Sequence, residues 1–285
     1  MGLTVDVHVH PVIIREVIER YPEVASHADK HFDIRSRPQP LKTLLAEMEA
    51  AGIDRAVLLP VNCSLRGFEI PPNRAVAELV QEHPDRFVGF ASVDPNLGEK
   101  AAEQLNEAVR DMGLRGLKLS PPLQGFRPDD EAVFPVYREA ERLRIPVLIH
   151  AGMTWNPRLP IEHCNPLLLD RVAREFPRLR IIVAHFGWPW VRETLVLMLR
   201  HRNVYADLSG VYGLTPKQHL KRLLEVELPV ELVESSIADR LMLGSDWPRM
   251  EPLKVVKAVK ATSLSEEAKR AILGINAARV LGLKP

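Results

Sequence analysis

Eight short apolar runs, spread along the whole chain and separated by amphipathic helical stretches, constrain this sequence more than any other feature. The runs span residues 3–9, 55–60, 86–93, 114–119, 146–150, 180–185, 203–207 and 240–244. Between them lie segments such as "LKTLLAEMEAAG" (41–52), "KAAEQLNEAVRDMG" (100–113) and "WVRETLVLMLRHR" (190–202), whose apolar residues recur three and four apart. Strands that are apolar almost throughout, each followed by a helix, belong in a parallel sheet covered on both faces. Eight is the number that closes a (β/α)8 barrel, and 285 residues are enough to fill one. A doubly wound open sheet is the rival, but its first strand usually runs into a glycine-rich loop. Here the first strand runs into His10-Pro11. No linker, internal repeat or low-complexity tract divides the chain, so residues 1–285 are expected to form one α/β barrel domain, with helices over 264–283 completing it.

Bulk properties exclude several classes of function. A net charge of +1 and the lack of any long Lys/Arg block argue against a nucleic-acid partner. No apolar stretch approaches the roughly 18 residues of a membrane span, and no basic segment followed by an apolar one opens the chain. Cys63 and Cys164 are far apart with no C-x-x-C spacing, which points away from disulfides and cysteine metal sites and towards the cytoplasm.

The polar residues of the apolar runs cluster at their carboxyl ends. "VDVHVHP" carries Asp6, His8 and His10, which strict strand alternation would put on one face. Lys118 stands in "GLKLS", His150 ends "PVLIH", His185 lies in "IIVAHFG" and Asp246 in "GSDWP". In a barrel these ends share one rim, where active sites are assembled from several strands. Four histidines and an aspartate around one pocket make a ligand set for a divalent transition metal, zinc above all. Taken singly, His150 reads equally as a core histidine bonded to a carbonyl, and Asp246 as a helix cap; their convergence on one rim favours the metal. Asp6 is expected to orient an imidazole. Lys118 has three readings: a carbamylated bridge to a second metal, an ammonium that holds an anionic substrate, and a surface lysine. The ammonium is preferred, with Arg127 and Arg249 as further substrate-binding cations and Trp247 among the tryptophans that could wall a ring. The segment 21–38, which holds His27 and His31, reads as a long loop able to act as a lid.

The motifs "DVHVHP", "HPDRFVGFASVDP", "RGLKLSPPLQGF", "IPVLIHAG", "IIVAHFGWPW", "NVYADLSG", "LMLGSDWP" and "ILGINAARVLGL", in this order, resemble the amidohydrolase superfamily, specifically its amidohydrolase-2 family of metal-dependent (β/α)8 enzymes. The resemblance implies that His8, His10, His150 and Asp246 bind one divalent metal, usually zinc, with manganese and iron(II) as alternatives, and that His185 is a catalytic residue beside it. It also implies a small-molecule substrate and a homodimer. One departure stands out: where close relatives often read "KLHP", this chain reads "KLSPP", with Ser120 in place of histidine. The first expectation for function is hydrolysis of an amide, ester or lactone by metal-activated water, with Asp246 carrying protons. Non-oxidative decarboxylation of an aromatic or unsaturated acid is the alternative. A barrel that binds metal or ligand without turnover is a further one.

Overall fold

The computed structural model describes all residues except 1, 35, 36, 211 and 285. The described residues form ten strands: β1 (Val5–Val9), β2 (Arg55–Leu58), β3 (Val61–Cys63), β4 (Phe68–Ile70), β5 (Phe87–Gly89), β6 (Leu117–Leu119), β7 (Val147–Ile149), β8 (Ile181–Val183), β9 (Val204–Asp207) and β10 (Leu241–Met242). Eight of them, all but β3 and β4, fall one each within the eight apolar runs. They pair in parallel as β1-β2-β5 and as β6-β7-β8-β9-β10. Two seams join these arcs into a ring. Lys118 N donates to Ala91 O at 2.7 Å between β5 and β6, and Val7 N donates to Leu243 O at 2.9 Å between β1 and β10. Closure removes both sheet edges, and the barrel architecture expected from the sequence is the one observed.

Inside the ring, Val5, Val7, Val57, Leu59, Val88, Phe90, Leu148, Ile182 and Met242 form one buried cluster with Ala277, Val280 and Leu281. Strands on opposite sides of a barrel contribute side chains that can meet only in its interior. The C-terminal helical segment therefore plugs the end of the barrel opposite the carboxyl rim. It lies close against the chain there: a Cβ on Gly274 would collide with the backbone carbonyl of Leu3, so only glycine fits. A second, larger cluster lies between the strands and the outer helices and includes Val9, Leu58, Leu119, Ile149 and Val183.

Three local expectations are corrected. The valines of β1 do not share a face, because a register irregularity between Asp6 and Val9 interrupts the alternation, and Val9 packs outward while Val5 and Val7 pack inward. Much of the segment 21–38 is a helix, Glu23–Phe32, in which Val24 and Ala28 are buried one turn apart; it stops where Asp33 turns left-handed at φ 52°. Arg35 and Ser36 of that segment lie outside the described residues. Finally, the antiparallel hairpin β3-β4, paired from Val61↔Ile70 to Cys63↔Phe68, was not anticipated. Among the described residues no helix is long and apolar enough to cross a membrane.

Candidate metal and active site

The strand ends gather the polar residues around a cavity of about 260 Å³, lined among others by His10, Lys118, His150, His185, Asp246 and Arg249. That is slightly below the ~300–1,000 Å³ typical of sites for drug-sized ligands. It suits a small substrate.

His8 and His10 sit at and just past the end of β1, and their Nε2 atoms are 3.2 Å apart. Asp246 Oδ1 lies 3.7 Å from each. The hydrogen bonds of the opposite ring edges decide what those nitrogens carry. His10 Nδ1 is 3.0 Å from Leu59 O, and a carbonyl only accepts, so Nδ1 holds the proton and Nε2 is bare. His8 Nδ1 donates to Asp207 Oδ2 at 2.9 Å, which leaves His8 Nε2 bare as well. Two lone pairs and a carboxylate oxygen thus face one another in a buried space. The neighbouring donor is Lys118 Nζ, 3.4 Å from His8 Nε2. His150 Nε2 is also buried and has no hydrogen-bond partner among the described residues. Such a collection of acceptors calls for a cation, and neutral imidazoles with a carboxylate are the donors that zinc, manganese and iron(II) accept. The ligand atoms of His8, His10 and Asp246 lie within 4.8 Å of one another, as do those of His8, His185 and Asp207. His150 is in neither trio; its ring approaches His185, with centroids 5.0 Å apart.

Two of these residues occupy backbone conformations that side chains rarely adopt. His185 has φ 59° and Asp246 φ 58°, held by hydrogen bonds from their N–H groups to Asp207 Oδ1 and to His8 O, each 2.9 Å. Left-handed backbone at a non-glycine residue costs of order 1–3 kcal/mol and tends to mark functional positions.

Burial dominates the electrostatics. It holds His8, His10 and His185 well below the usual imidazole range, and Lys118 pushes each further down. His150 falls to about 3, for burial first and Lys118 second. Burial lowers Lys118 itself to about 8 against the pull of Asp207 and Asp246. Asp246 rises to about 7, burial outweighing the nearby Arg249 and Lys118. Asp6 rises to about 6, again mainly by burial. The consequence for the metal-free protein is acid sensitivity. A histidine kept neutral in the fold takes up a proton on unfolding below its usual 6.5, so stability falls with pH by about 1.4 kcal/mol per unit for each. Asp6 and Asp246 act oppositely below pH 6, because the fold protonates them before the unfolded chain does. Four histidines against two carboxyls leave a net loss. The urea midpoint of chelated protein is therefore expected to drop between pH 6 and pH 4.5; a flat or rising midpoint would contradict the burial of these rings.

The expected site residues divide. His10, Lys118, His150, His185, Asp246 and Arg249 line the cavity, and His8 lies beneath them, fully buried. Arg249 Nε is 3.7 Å from Asp246 Oδ2, and the guanidinium also bonds Phe32 O. Two residues are elsewhere. Arg127 is half exposed on the surface and grips Asp129 at 3.0 Å, two residues along its own loop. Trp247 points away from the cavity into the core, where its Nε1 donates to Glu47 Oε2 at 2.7 Å. The polar roof over Trp247 comes from a helix that strand-end proximity in sequence does not reveal. Asp6 does not orient an imidazole; its Oδ1 accepts from His8 N at 3.1 Å and Ser245 N at 2.9 Å, tying β1 to the turn before Asp246. The imidazole partner is Asp207, which sequence reasoning passed over although it too ends an apolar strand. His31, Phe32, Trp155 and Tyr212 complete the wall. Trp188 stacks on Tyr212 at 4.8 Å from behind.

The chain matches the family model described as "Amidohydrolase" over residues 5–283. It belongs to the amidohydrolase family. Curated relatives include a 2-amino-3-carboxymuconate-6-semialdehyde decarboxylase from Dictyostelium discoideum, 25% identical over 75% of this chain and 66% of that one. A gamma-resorcylate decarboxylase from Rhodococcus jostii is 26% identical over 74% and 75%. An L-fucono-1,5-lactonase from Burkholderia ambifaria is 29% identical over 74% and 69%. Among solved structures, a TIM-barrel protein from Bordetella bronchiseptica superposes with a TM-score of 0.76 at 24% identity, each chain covered to 98%. A dihydroxybenzoic acid decarboxylase from Polaromonas, solved with manganese and an inhibitor, gives 0.68 at 18% identity, with 99% of this amidohydrolase and 98% of that chain covered.

Proposed function

We propose that this amidohydrolase is a metal-dependent, non-oxidative decarboxylase of a small aromatic or unsaturated carboxylic acid, in preference to the hydrolase that sequence reasoning put first. The observation that carries the reading is the company Asp246 keeps. Two cations, Lys118 and Arg249, flank it in a cavity whose wall includes Phe32, Trp155 and Tyr212. Cations that face a carboxyl across an aromatic-walled pocket suit an acid on a flat ring. Decarboxylases among the curated relatives support the same choice.

His8, His10, His150 and Asp246 would hold the divalent ion, which when bound supplies Lewis acidity towards substrate oxygens. The chain's own groups account for the rest. Arg249 and Lys118 bind and orient the substrate carboxylate, and the aromatic wall excludes water from the ring. His185 bonds a substrate oxygen. Asp246 delivers its proton to the carbon that bears the carboxylate. The bond from that carbon to the carboxyl carbon breaks, its electron pair stays on the ring carbon with the new proton, and CO2 leaves. Asp246 then regains a proton from solvent, so the net change is one proton taken up for each CO2 released.

A panel assay tests the reading. Gamma-resorcylate and related ortho-hydroxybenzoates, 2-amino-3-carboxymuconate-6-semialdehyde and a sugar lactone would be offered to the metal-loaded enzyme. CO2 release from one or more of the acids is expected. Ring opening of the lactone, with no CO2 from any acid, would overturn the proposal in favour of hydrolysis.

A further inference from the structure

We propose that Ser209 is a positioning residue that locks His185 in one tautomer, with the proton on Nδ1, and so presents its other ring nitrogen to the substrate as a hydrogen-bond acceptor. The inference deepens the decarboxylase reading, since it assigns the direction of the bond between His185 and the substrate.

The geometry is a chain of hydrogen bonds just past β9. Ser209 Oγ bonds Asp207 Oδ1, and the same oxygen lies 2.8 Å from His185 Nδ1 and 3.0 Å from His8 Nδ1. A hydroxyl has a single proton. Asp207 Oδ1 also receives the N–H groups of His185 at 2.9 Å and of Ser209 at 3.0 Å. An oxygen that already collects backbone donors is an acceptor, so the serine proton goes to it. Only lone pairs of Ser209 Oγ are then left to face the imidazoles. His185 Nδ1 at 2.8 Å from a lone pair must carry hydrogen. The neutral ring has one N–H, so Nε2 is bare.

The backbone after Ser209 packs closely against this edge of the ring. Gly210 follows Ser209 at φ +76°, and a Cβ there would stand 2.6 Å from His185 Nδ1. His185 stacks on His8 with ring centroids 4.9 Å apart. Without the serine hydroxyl, His8 keeps its bond to Asp207 Oδ2 and Asp207 Oδ1 keeps two backbone N–H donors, so of these groups His185 Nδ1 is the one left without its partner. His185 can therefore take a hydrogen bond from a substrate hydroxyl and cannot give one. A substrate whose oxygen at this point lacks hydrogen would be rejected.

Long-range 15N–1H spectra of the histidine rings read the tautomer directly. The sample is the full-length protein labelled at histidine nitrogen and loaded with zinc, a diamagnetic ion. His185→Asn identifies the His185 signals by their loss. The wild type is expected to show His185 protonated at Nδ1. Ser209→Ala should move proton population to Nε2 and lower kcat by about 10–100-fold, with KM changing much less. Ser209→Thr keeps the hydroxyl and should restore both the spectrum and turnover. A wild-type ring protonated at Nε2 would overturn the proposal, as would Ser209→Ala retaining the Nδ1–H. The spectrum needs no turnover, so a failed decarboxylase assay would leave this result intact.

Discussion

Replacing Asp246 with asparagine is expected to lower CO2 release by about 1,000-fold while the protein stays folded. The size follows from the loss of a positioned acid, worth about 10²–10⁴ in rate. Asp246 stands in left-handed backbone at φ 58°, a region asparagine occupies readily. Its structural bonds are made by the main chain: its N–H donates to His8 O at 2.9 Å, and its carbonyl accepts from Arg249 N at 2.8 Å. An amide of equal size keeps these and loses only the carboxyl. The unfolding temperature of the metal-free protein should therefore hold, while the product assay of the metal-loaded variant collapses. Elemental analysis belongs beside the assay, because the same carboxylate completes the proposed ligand set. Metal retained with turnover lost assigns Asp246 the proton. Metal and turnover lost together assign it first to the ion. Undiminished CO2 release would remove Asp246 from the chemistry.

The parts of this site that were legible in the sequence were those written locally. An apolar strand that ends in a polar residue is visible without tertiary information, and it pointed to His8, His10, Lys118, His150 and Asp246. Asp207 carries the same mark in "NVYADLSG", but a strand-end Asp just ahead of Leu-Ser-Gly reads equally as part of an ordinary turn. Its partner identifies it, and that partner, His8, is 199 residues away. Arg127 and Trp247 failed for the converse reason. Both lie near strand ends in the chain, yet Arg127 finds Asp129 within its own loop and Trp247 finds Glu47 on a neighbouring helix. Nearness along the sequence fixes the rim a residue belongs to and leaves open which way it turns. The helix Glu23–Phe32 was hidden by its charge, since only Val24 and Ala28 are buried and the remaining positions resemble loop. Its role at the site depends on Arg249, which reaches its last carbonyl from the opposite end of the chain.

Stripping the metal should abolish turnover and leave the fold weaker, and together the two effects separate a metal centre from a histidine cluster that merely packs. In the second case His8 and His10 would satisfy each other, one nitrogen donating to its neighbour. The bonds of His10 Nδ1 to Leu59 O and of His8 Nδ1 to Asp207 Oδ2 forbid this, since they place both protons on the far edges and leave bare nitrogens 3.2 Å apart. Without a cation those nitrogens, Asp246 Oδ1 and His150 Nε2 are buried acceptors with little to accept, and each unsatisfied group costs about 1–3 kcal/mol. An ion present at about a hundred times its dissociation constant stabilises the fold by about 2.7 kcal/mol, which corresponds to a rise of roughly 5–10 °C in a chain of this size. Chelation and dialysis should remove that increment, and stoichiometric zinc, manganese or iron(II) should restore it together with CO2 release. Elemental analysis of the purified protein would show which ion the site keeps. A melting temperature indifferent to chelation, in protein shown to have lost its metal, would mean that hydrogens sit on the inner nitrogens after all. The arrangement of His8, His10 and Asp246 would then have to be explained as packing.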